Sequence, residues 1–231
     1  MSLAIRSRQE EQMDADDLDP AVYARVLADL GQVNALTLAR RPTLAFLRRA
    51  LHGRTHFALL DVGYGHGDML RSIARWARKR GIAAELVGID LNPNSPAAAR
   101  AATPADLAID FRAGDYADLA GEGYDLVVSS LVAHHMNDDQ LVAFLRFMER
   151  ESALGWMVND IHRLALAHFG YPILARLMRW HRIVREDGTL SIARGFRPAE
   201  WQPYLAQAGI PPDAAKVVRR FPFRLCVERL R

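Results

Sequence analysis

Apolar residues follow two rhythms along this chain. Continuous apolar runs of strand length recur at residues 57–62, 84–90, 108–113, 124–130 and 154–160, and each reads as a buried strand. Between them the apolar positions fall three and four residues apart, the spacing of a helix with one buried face. Residues 68–80 carry Leu70, Ile73, Ala74 and Trp76 in that spacing, and Gly81 is a plausible stop. Another helix starts at Asn137 with Gln140 in the capping-box position, turning Leu141, Phe144, Leu145 and Met148 inward. Residues 215–221 and 223–230 read as two last strands joined at Pro222. Strands alternating with helices predict an α/β fold.

The flanks are helical. Asp19-Pro20 pairs an N-cap acid with a proline at the first turn, so residues 21–30 and 32–51 are expected as helices, interrupted near Gly31 and at Arg41-Pro42. Residues 161–183 are apolar, with Leu164, Leu166, Phe169, Ile173, Leu174, Leu177, Met178 and Trp180; Pro172 should break them into two pieces. Residues 198–208 form a further helix. The expected division is 1–52 as leader and helical cap and 53–231 as the main domain, with a lid insertion at about 161–197. The acidic run 10–19 reads as a mobile leader or a solvated helix face.

Composition narrows the function classes. With 231 residues, half of them hydrophobic, the chain can bury the core of one domain with modest additions. No run is long and uncharged enough to cross a bilayer, the first residues lack a signal-peptide core, and Cys226 is the sole cysteine, so the expected location is cytoplasmic. The eight histidines form neither His-x-x-x-His nor His-Glu-x-x-His, so no metal site is expected. A net charge of +3 is too small to argue for nucleic acid as a partner.

The candidate chemistry begins where the first strand ends. Asp61-Val-Gly-Tyr-Gly-His-Gly67 is a glycine turn between strand and helix, which lets a ligand approach the backbone and the free N–H groups of the helix end. A dinucleotide turn would be G-x-G-x-x-G; here Asp68 stands at the position of its third glycine, and a carboxylate opposes a pyrophosphate. The Asp-x-Gly-x-Gly-x-Gly loop resembles the first motif of the class I S-adenosylmethionine-dependent methyltransferases, whose ligand carries a sulfonium and an ammonium. The segment Leu-Val-Ala-His-His-Met at 131–136 resembles the small-molecule members of the ubiquinone/menaquinone methyltransferase group.

This resemblance implies a Rossmann-like fold: a seven-stranded, mostly parallel sheet with helices on both faces, an N-terminal helical extension and a helical lid after the fifth strand. It implies S-adenosyl-L-methionine as cofactor, held by Asp61, Gly63, Gly65 and Gly67, with Asp90 on the ribose hydroxyls and Leu91 against the adenine. Asp115 would receive the adenine amino group, Tyr116 would wall the ring, and Ser130 and Leu131 would complete the set. In this family an N-terminal extension often folds over the cofactor; the alternative is packing on the sheet edge.

Ligands of an open α/β sheet bind at the carboxyl ends of its strands, which places His134, His135 and His162 at the same edge. Any of the three suits removal of a phenolic proton. His134 and His135 should point in different directions, leaving one to face the pocket, and Asp160 is placed to orient His162; a structural hydrogen bond is the other reading of His134. His52, His56, His66, His168 and His181 read as surface, loop or lid residues. The base-methylating Asn/Asp-Pro-Pro-aromatic signature is absent from residues 129–132. The expected function is therefore methyl transfer to a small hydrophobic acceptor, a phenol, quinone precursor or polyketide-like ring, with O-methylation favoured slightly over C-methylation. The alternatives are an RNA or protein methyltransferase of the same fold, or a non-catalytic binding protein. Arg163, Arg176 and Arg179 in the lid would meet an anionic group or a membrane surface; the lid helices would otherwise pack as core or in a homodimer.

Overall fold

In a sheet covered on both faces, neighbouring residues of one strand enter different cores, and Leu59 and Leu60 do so. The computed structural model describes residues 3–15 and 18–231. Its strands are β1 (His56–Val62), β2 (Ala83–Asp90), β3 (Asp110–Ala113), β4 (Tyr124–Ser130), β5 (Ser152–Ile161), β6 (Ala215–Arg220) and β7 (Arg224–Leu230). They form one seven-stranded sheet in the order β3-β2-β1-β4-β5-β7-β6, parallel except for β7, which runs antiparallel to β5 and β6. The order reverses between β1 and β4, so the loops after these strands part and leave a crevice at their carboxyl ends.

Helices α1 (Pro20–Leu36) and α2 (Arg40–Ala50) precede β1, and α3 (Asp68–Arg78) and α4 (Ser95–Ala101) follow β1 and β2. Phe46, Leu47, Leu70 and Ile73 of α2 and α3 pack with Phe57, Leu59, Leu126 and Met157 on one face of the sheet. On the other, α5 (Asp138–Glu151) brings Phe144, Leu145 and Met148 against Leu60, Val127 and Trp156, joined by Trp201. The Asn137–Gln140 capping box that starts α5 is formed in both directions. The remaining helices are α6 (Ala165–Leu177), α7 (Arg182–Arg194) and α8 (Trp201–Gln207).

A third cluster lies off the sheet: Val26 of α1 meets Ala175, Trp180, Ile183 and Val184, joining the N-terminal helix to the α6–α7 pair. The three expected helix interruptions fall elsewhere. Gly31 does not interrupt α1; the chain turns at 37–39, where Leu38 takes a φ of 52°. Pro42 sits in the first turn of α2, where a missing N–H costs nothing. Pro172 lies inside a continuous α6, and the break falls later, where Arg179 adopts a φ of 55°. The α6–α7 crossing holds α6 through its proline: Tyr171 lies over Gly188 and donates to the Val184 carbonyl at 2.8 Å. No helix among the described residues is long and apolar enough to cross a membrane.

Candidate functional site

The carboxyl ends of β1, β2, β4 and β5 open into one cavity of about 980 Å³. Of the residues singled out in the sequence, Asp61, Gly63, Gly65, Asp90, Leu91, Tyr116, Ser130, Leu131, His134 and His135 line it. Gly67, Asp115 and His162 do not.

The glycine turn is built by backbone constraint. Gly63 has a φ of 74° and donates its N–H to Ile89 on β2 at 2.8 Å. Gly65 donates to Asp90 Oδ2 at 2.8 Å, which ties the turn to the end of β2. Gly67 starts α3 and acts on packing: a Cβ there would stand 2.8 Å from the Phe111 ring. Asp61 is 1% exposed, and its Oδ2 has no hydrogen-bond partner. Burial, followed by the charges of Asp68 and Asp90, pushes its carboxyl well above the usual carboxylate range. A buried carboxylate without a partner, on the wall of a cavity, is a place for a cation.

Asp90 spends part of its capacity on the fold. Oδ1 accepts from Asn92 N at 2.9 Å, so the acid caps the turn after β2 while lining the cavity. Tyr116 packs on Phe144 and Phe147, with ring centroids 5.1 and 4.8 Å away. Leu91 is 75% exposed beside the opening. Asp115 corrects the sequence reading: it is exposed, and its Oδ1 caps a short 3-10 helix by accepting from Ala117 N at 2.9 Å.

The histidines are arranged differently from the expectation. Asp160 does not orient His162. Its Oδ1 meets His134 Nδ1 at 2.7 Å and its Oδ2 accepts the His134 N–H at 3.0 Å, with all these groups buried. Burial alone would raise the Asp160 carboxyl, but the His134 charge and hydrogen bonds hold it below its ordinary value. Ile161 faces the cavity, so the alternation of the chain turns His162 away; burial, then Arg219, Arg197 and Arg163, lower its pKa. His134 and His135 do not diverge: their rings lie side by side, centroids 4.3 Å apart, on the 3-10 turn Ala133–His135. His135 Nδ1 meets Asp14 Oδ2 at 2.7 Å. Burial pulls the His135 pKa down, but the Asp14 hydrogen bond and the charges of Glu11 and Asp14 leave it raised.

Glu11 and Asp14 are functional candidates that the sequence reading missed. Glu10, Asp14 and Asp19 of the acidic run are exposed, as a solvated face would be, but Glu11 is buried, and Glu11 and Asp14 line the cavity. Asp16 and Asp17 lie outside the described residues. Arg6 anchors this strap, donating to the carbonyls of Arg194, His134 and Met136 with its guanidinium 4.2 Å from the Phe196 ring centroid. No periodicity announces such contacts; the only sequence signal is acids placed near an N-terminal helix.

The N-terminal extension both packs on the sheet and covers the site. α2 joins the core, whereas α1 lies over the glycine turn, where Asn34 donates to Asp68 at 3.5 Å and Tyr23 shares a 2.9 Å hydrogen bond with Ser95. From the lid, Leu166, Ala167, Tyr171 and Leu174 line the cavity, while Phe169, Ile173 and Leu177 face solvent. His66, read as a surface or loop residue, also lines the cavity, and its Nδ1 lies 3.1 Å from Arg71 Nη2. Arg163 is not free to meet an anion or a membrane: it is fully buried, bound to the Gly195 carbonyl at 2.7 Å and to Glu200. Arg176 and Arg179 are exposed.

Residues 59–151 match the family described as "Methyltransferase domain". No curated protein sequence matches the chain significantly. Among solved structures, human N-acetylserotonin methyltransferase in complex with SAM is similar at a TM-score of 0.64 and 14% identity, over 92% of this chain and 56% of that one. Magnesium protoporphyrin IX methyltransferase from Synechocystis, with bound SAH, gives a TM-score of 0.56 and 16% identity over 95% and 91% of the two chains. An O-methyltransferase from neocarzinostatin biosynthesis, in complex with S-adenosyl-L-homocysteine and 1,4-dihydroxy-2-naphthoic acid, gives 0.62 and 18% over 92% and 59%. The chain thus spans little more than half the length of the first and third of these proteins. At such identities the likeness is one of fold.

Proposed function

We propose that this chain transfers the methyl group of S-adenosylmethionine to a hydroxyl on a small, largely apolar acceptor; the match of residues 59–151 to a methyltransferase domain and the fold shared with solved methyltransferases support this reading. The observation that carries the cofactor is the buried, unpartnered Asp61 carboxylate beside the glycine turn. When bound, S-adenosylmethionine supplies an activated methyl carbon that leaves with the carbon–sulfur electron pair staying on sulfur. Asp61 meets the ligand's positive charge, Asp90 accepts from the ribose hydroxyls, and Leu91 and Tyr116 wall the adenine.

The acceptor half of the cavity is bounded by α1, the lid and the histidine pair. A volume of about 980 Å³ is at the upper end for a single small-molecule site, around 300–1,000 Å³, which suits a cofactor and a second small ligand together. Leu18, Leu30, Leu166, Tyr171 and Leu174 give that part an apolar wall. The polar corner formed by His134 and His135 is where an acceptor's hydroxyl is received and its proton leaves, and that favours O-methylation. The N-acetylserotonin methyltransferase and the O-methyltransferase of neocarzinostatin biosynthesis share this fold, which agrees with a small acceptor.

Calorimetric titration with S-adenosylmethionine, S-adenosylhomocysteine and NADH tests the cofactor: the adenosyl ligands should bind and NADH should not. Binding of NADH alone would overturn the reading. Turnover is then followed as S-adenosylhomocysteine release with phenolic and hydroquinone acceptors, and activity only on an RNA or a protein would reject the small acceptor.

The two acids carried over from the family separate in this structure. Asp90→Ala should weaken S-adenosylmethionine binding about tenfold, the loss of roughly 1.4 kcal/mol of hydrogen bonding to the ribose and of the Gly65 anchor. Asp115→Ala should leave the affinity unchanged, because its carboxylate is on the surface. Equal losses in both would show that the loop after β3 closes on the cofactor.

A further inference from the structure

We propose that Glu11, His134 and His135 form a binding site for a divalent first-row transition-metal ion on the wall of the acceptor cavity. One ligand atom from each residue falls in a group whose members are all within 4.8 Å of one another. His134 Nε2 is 3.6 Å from Glu11 Oε1, and His135 Nε2 is 3.8 Å from Glu11 Oε2. These separations are too long for hydrogen bonds. They are near the edge of a tetrahedral site, since metal–ligand bonds of about 2.0–2.1 Å put neighbouring ligand atoms roughly 3.4 Å apart. Three side chains therefore surround a point without satisfying one another.

The outer contacts support the same reading. A metal-binding histidine donates its second ring N–H to a carboxylate, which fixes the tautomer and leaves the other nitrogen's lone pair for the ion. Both histidines have this arrangement: Nδ1 of His134 meets Asp160 and Nδ1 of His135 meets Asp14, each at 2.7 Å. The Glu11 side chain is 1% exposed, and its Oε1 has no hydrogen-bond partner. A carboxylate so buried requires a cation. Arg194 comes within 3.6 Å of Glu11 Oε1, but its guanidinium donates to the carbonyls of His134 at 3.0 Å and His135 at 3.1 Å, and also to Gln9. Arg194 thus fastens the histidine turn to the strap and is ion-paired with Glu11 without hydrogen-bonding to its Oε1.

Two imidazoles and one carboxylate favour zinc, iron(II), cobalt or nickel over magnesium or calcium, which take mostly oxygen ligands. All three ligands line the cavity, so the remaining coordination positions open towards it. The metal site stands on geometry alone. Its use rests on the methyl-transfer reading: the open position would take the acceptor's hydroxyl oxygen, the bound cation would make its proton easier to lose to solvent water, and the oxygen's electron pair would then form the bond to the methyl carbon as the carbon–sulfur pair stays on sulfur. His134 and His135 then act on the hydroxyl through the metal.

Untagged protein, treated with chelator and dialysed, is titrated with Zn²⁺ by calorimetry in the absence of S-adenosylmethionine, and with Co²⁺ by visible absorption. One equivalent should bind, and Co²⁺ should give the intense absorption of a low-coordinate site. Glu11→Gln and His135→Ala should each weaken Zn²⁺ by more than the roughly 10–100-fold expected of the outer-contact variant Asp14→Asn. Circular dichroism and S-adenosylhomocysteine titration of each variant check that it is folded. No saturable site in the parent protein, or Zn²⁺ affinity unchanged in both ligand variants, overturns the proposal. Adenosyl-ligand binding without metal binding would reject the metal and keep the methyl-transfer reading, with the histidines acting as bases; metal binding alone would do the opposite.

Discussion

The Asp61→Asn protein is expected to bind S-adenosylmethionine about 10–100-fold more weakly than the parent, a loss of roughly 1.4–2.8 kcal/mol, while its ligand-free form melts at a higher temperature. Both effects come from one buried carboxylate without a partner. In the ligand-free protein the ionised form of such a group, or the proton uptake that avoids it, costs about 1–3 kcal/mol, and the neutral amide removes that cost. For a chain of this size each kcal/mol moves the melting temperature by roughly 2–4 °C. The pH dependence has a definite sign. The Asp61 pKa is raised in the folded state, so above the unfolded pKa the folded protein holds a proton that the unfolded chain has lost. The contribution of Asp61 to stability therefore falls as pH rises from the unfolded value towards the folded one. A cationic ligand favours the carboxylate, so binding releases that proton and affinity rises with pH over the same window. The amide of the variant does not titrate, so both slopes disappear with the substitution. Thermal unfolding across pH, with calorimetry in two buffers of unlike ionisation enthalpy, measures them. A variant that melts lower and binds equally well would make Asp61 a purely structural residue.

What was legible in the sequence was local. β4 has the bounds its apolar run predicts, and the capping box after Asn137 forms because its partners are three residues apart. The glycine turn was readable for the same reason: a strand, a turn and a helix succeed one another within a dozen residues or so. The histidine corner was not, because its parts are brought together only by the tertiary fold. Asp160 was paired with His162 as its neighbour in sequence, but residues two apart on a strand are about 6.6–6.8 Å apart, beyond hydrogen-bond reach along an extended backbone. The crossover after β4 instead delivers both the backbone N–H and the ring of His134 to that carboxylate. Glu11 and Asp14 looked like solvated charge because a run of acids has no apolar face; their histidine partners lie more than a hundred residues downstream. Asp115 shows the reverse error. Its position after β3 suited the family pattern, yet the carboxylate is satisfied locally by the turn that it caps.

Gly63→Ala should destabilise the protein by about 2–4 kcal/mol, and adding Val132→Ala should recover part of that loss but not all of it. Two separate costs are involved. Gly63 has a φ of 74°, and an L-residue held in that left-handed region loses roughly 1–2 kcal/mol. A Cβ there would also stand 2.3 Å from Val132 Cγ2 and 3.2 Å from Cγ1, and a valine has little χ1 freedom with which to move aside. Val132→Ala relieves only the second cost. The contact also has a functional consequence, because Val132 caps the 3-10 turn that carries His134 and His135. Displacing it would shift the acceptor corner as well as the cofactor turn, so turnover should fall further than S-adenosylmethionine affinity in Gly63→Ala, and the second substitution should narrow that gap. Denaturant unfolding and steady-state kinetics of the parent, both single variants and the double variant form a closed cycle. Strict additivity would mean that the alanine methyl finds room without moving Val132, and that the glycine turn and the histidine turn are mechanically independent.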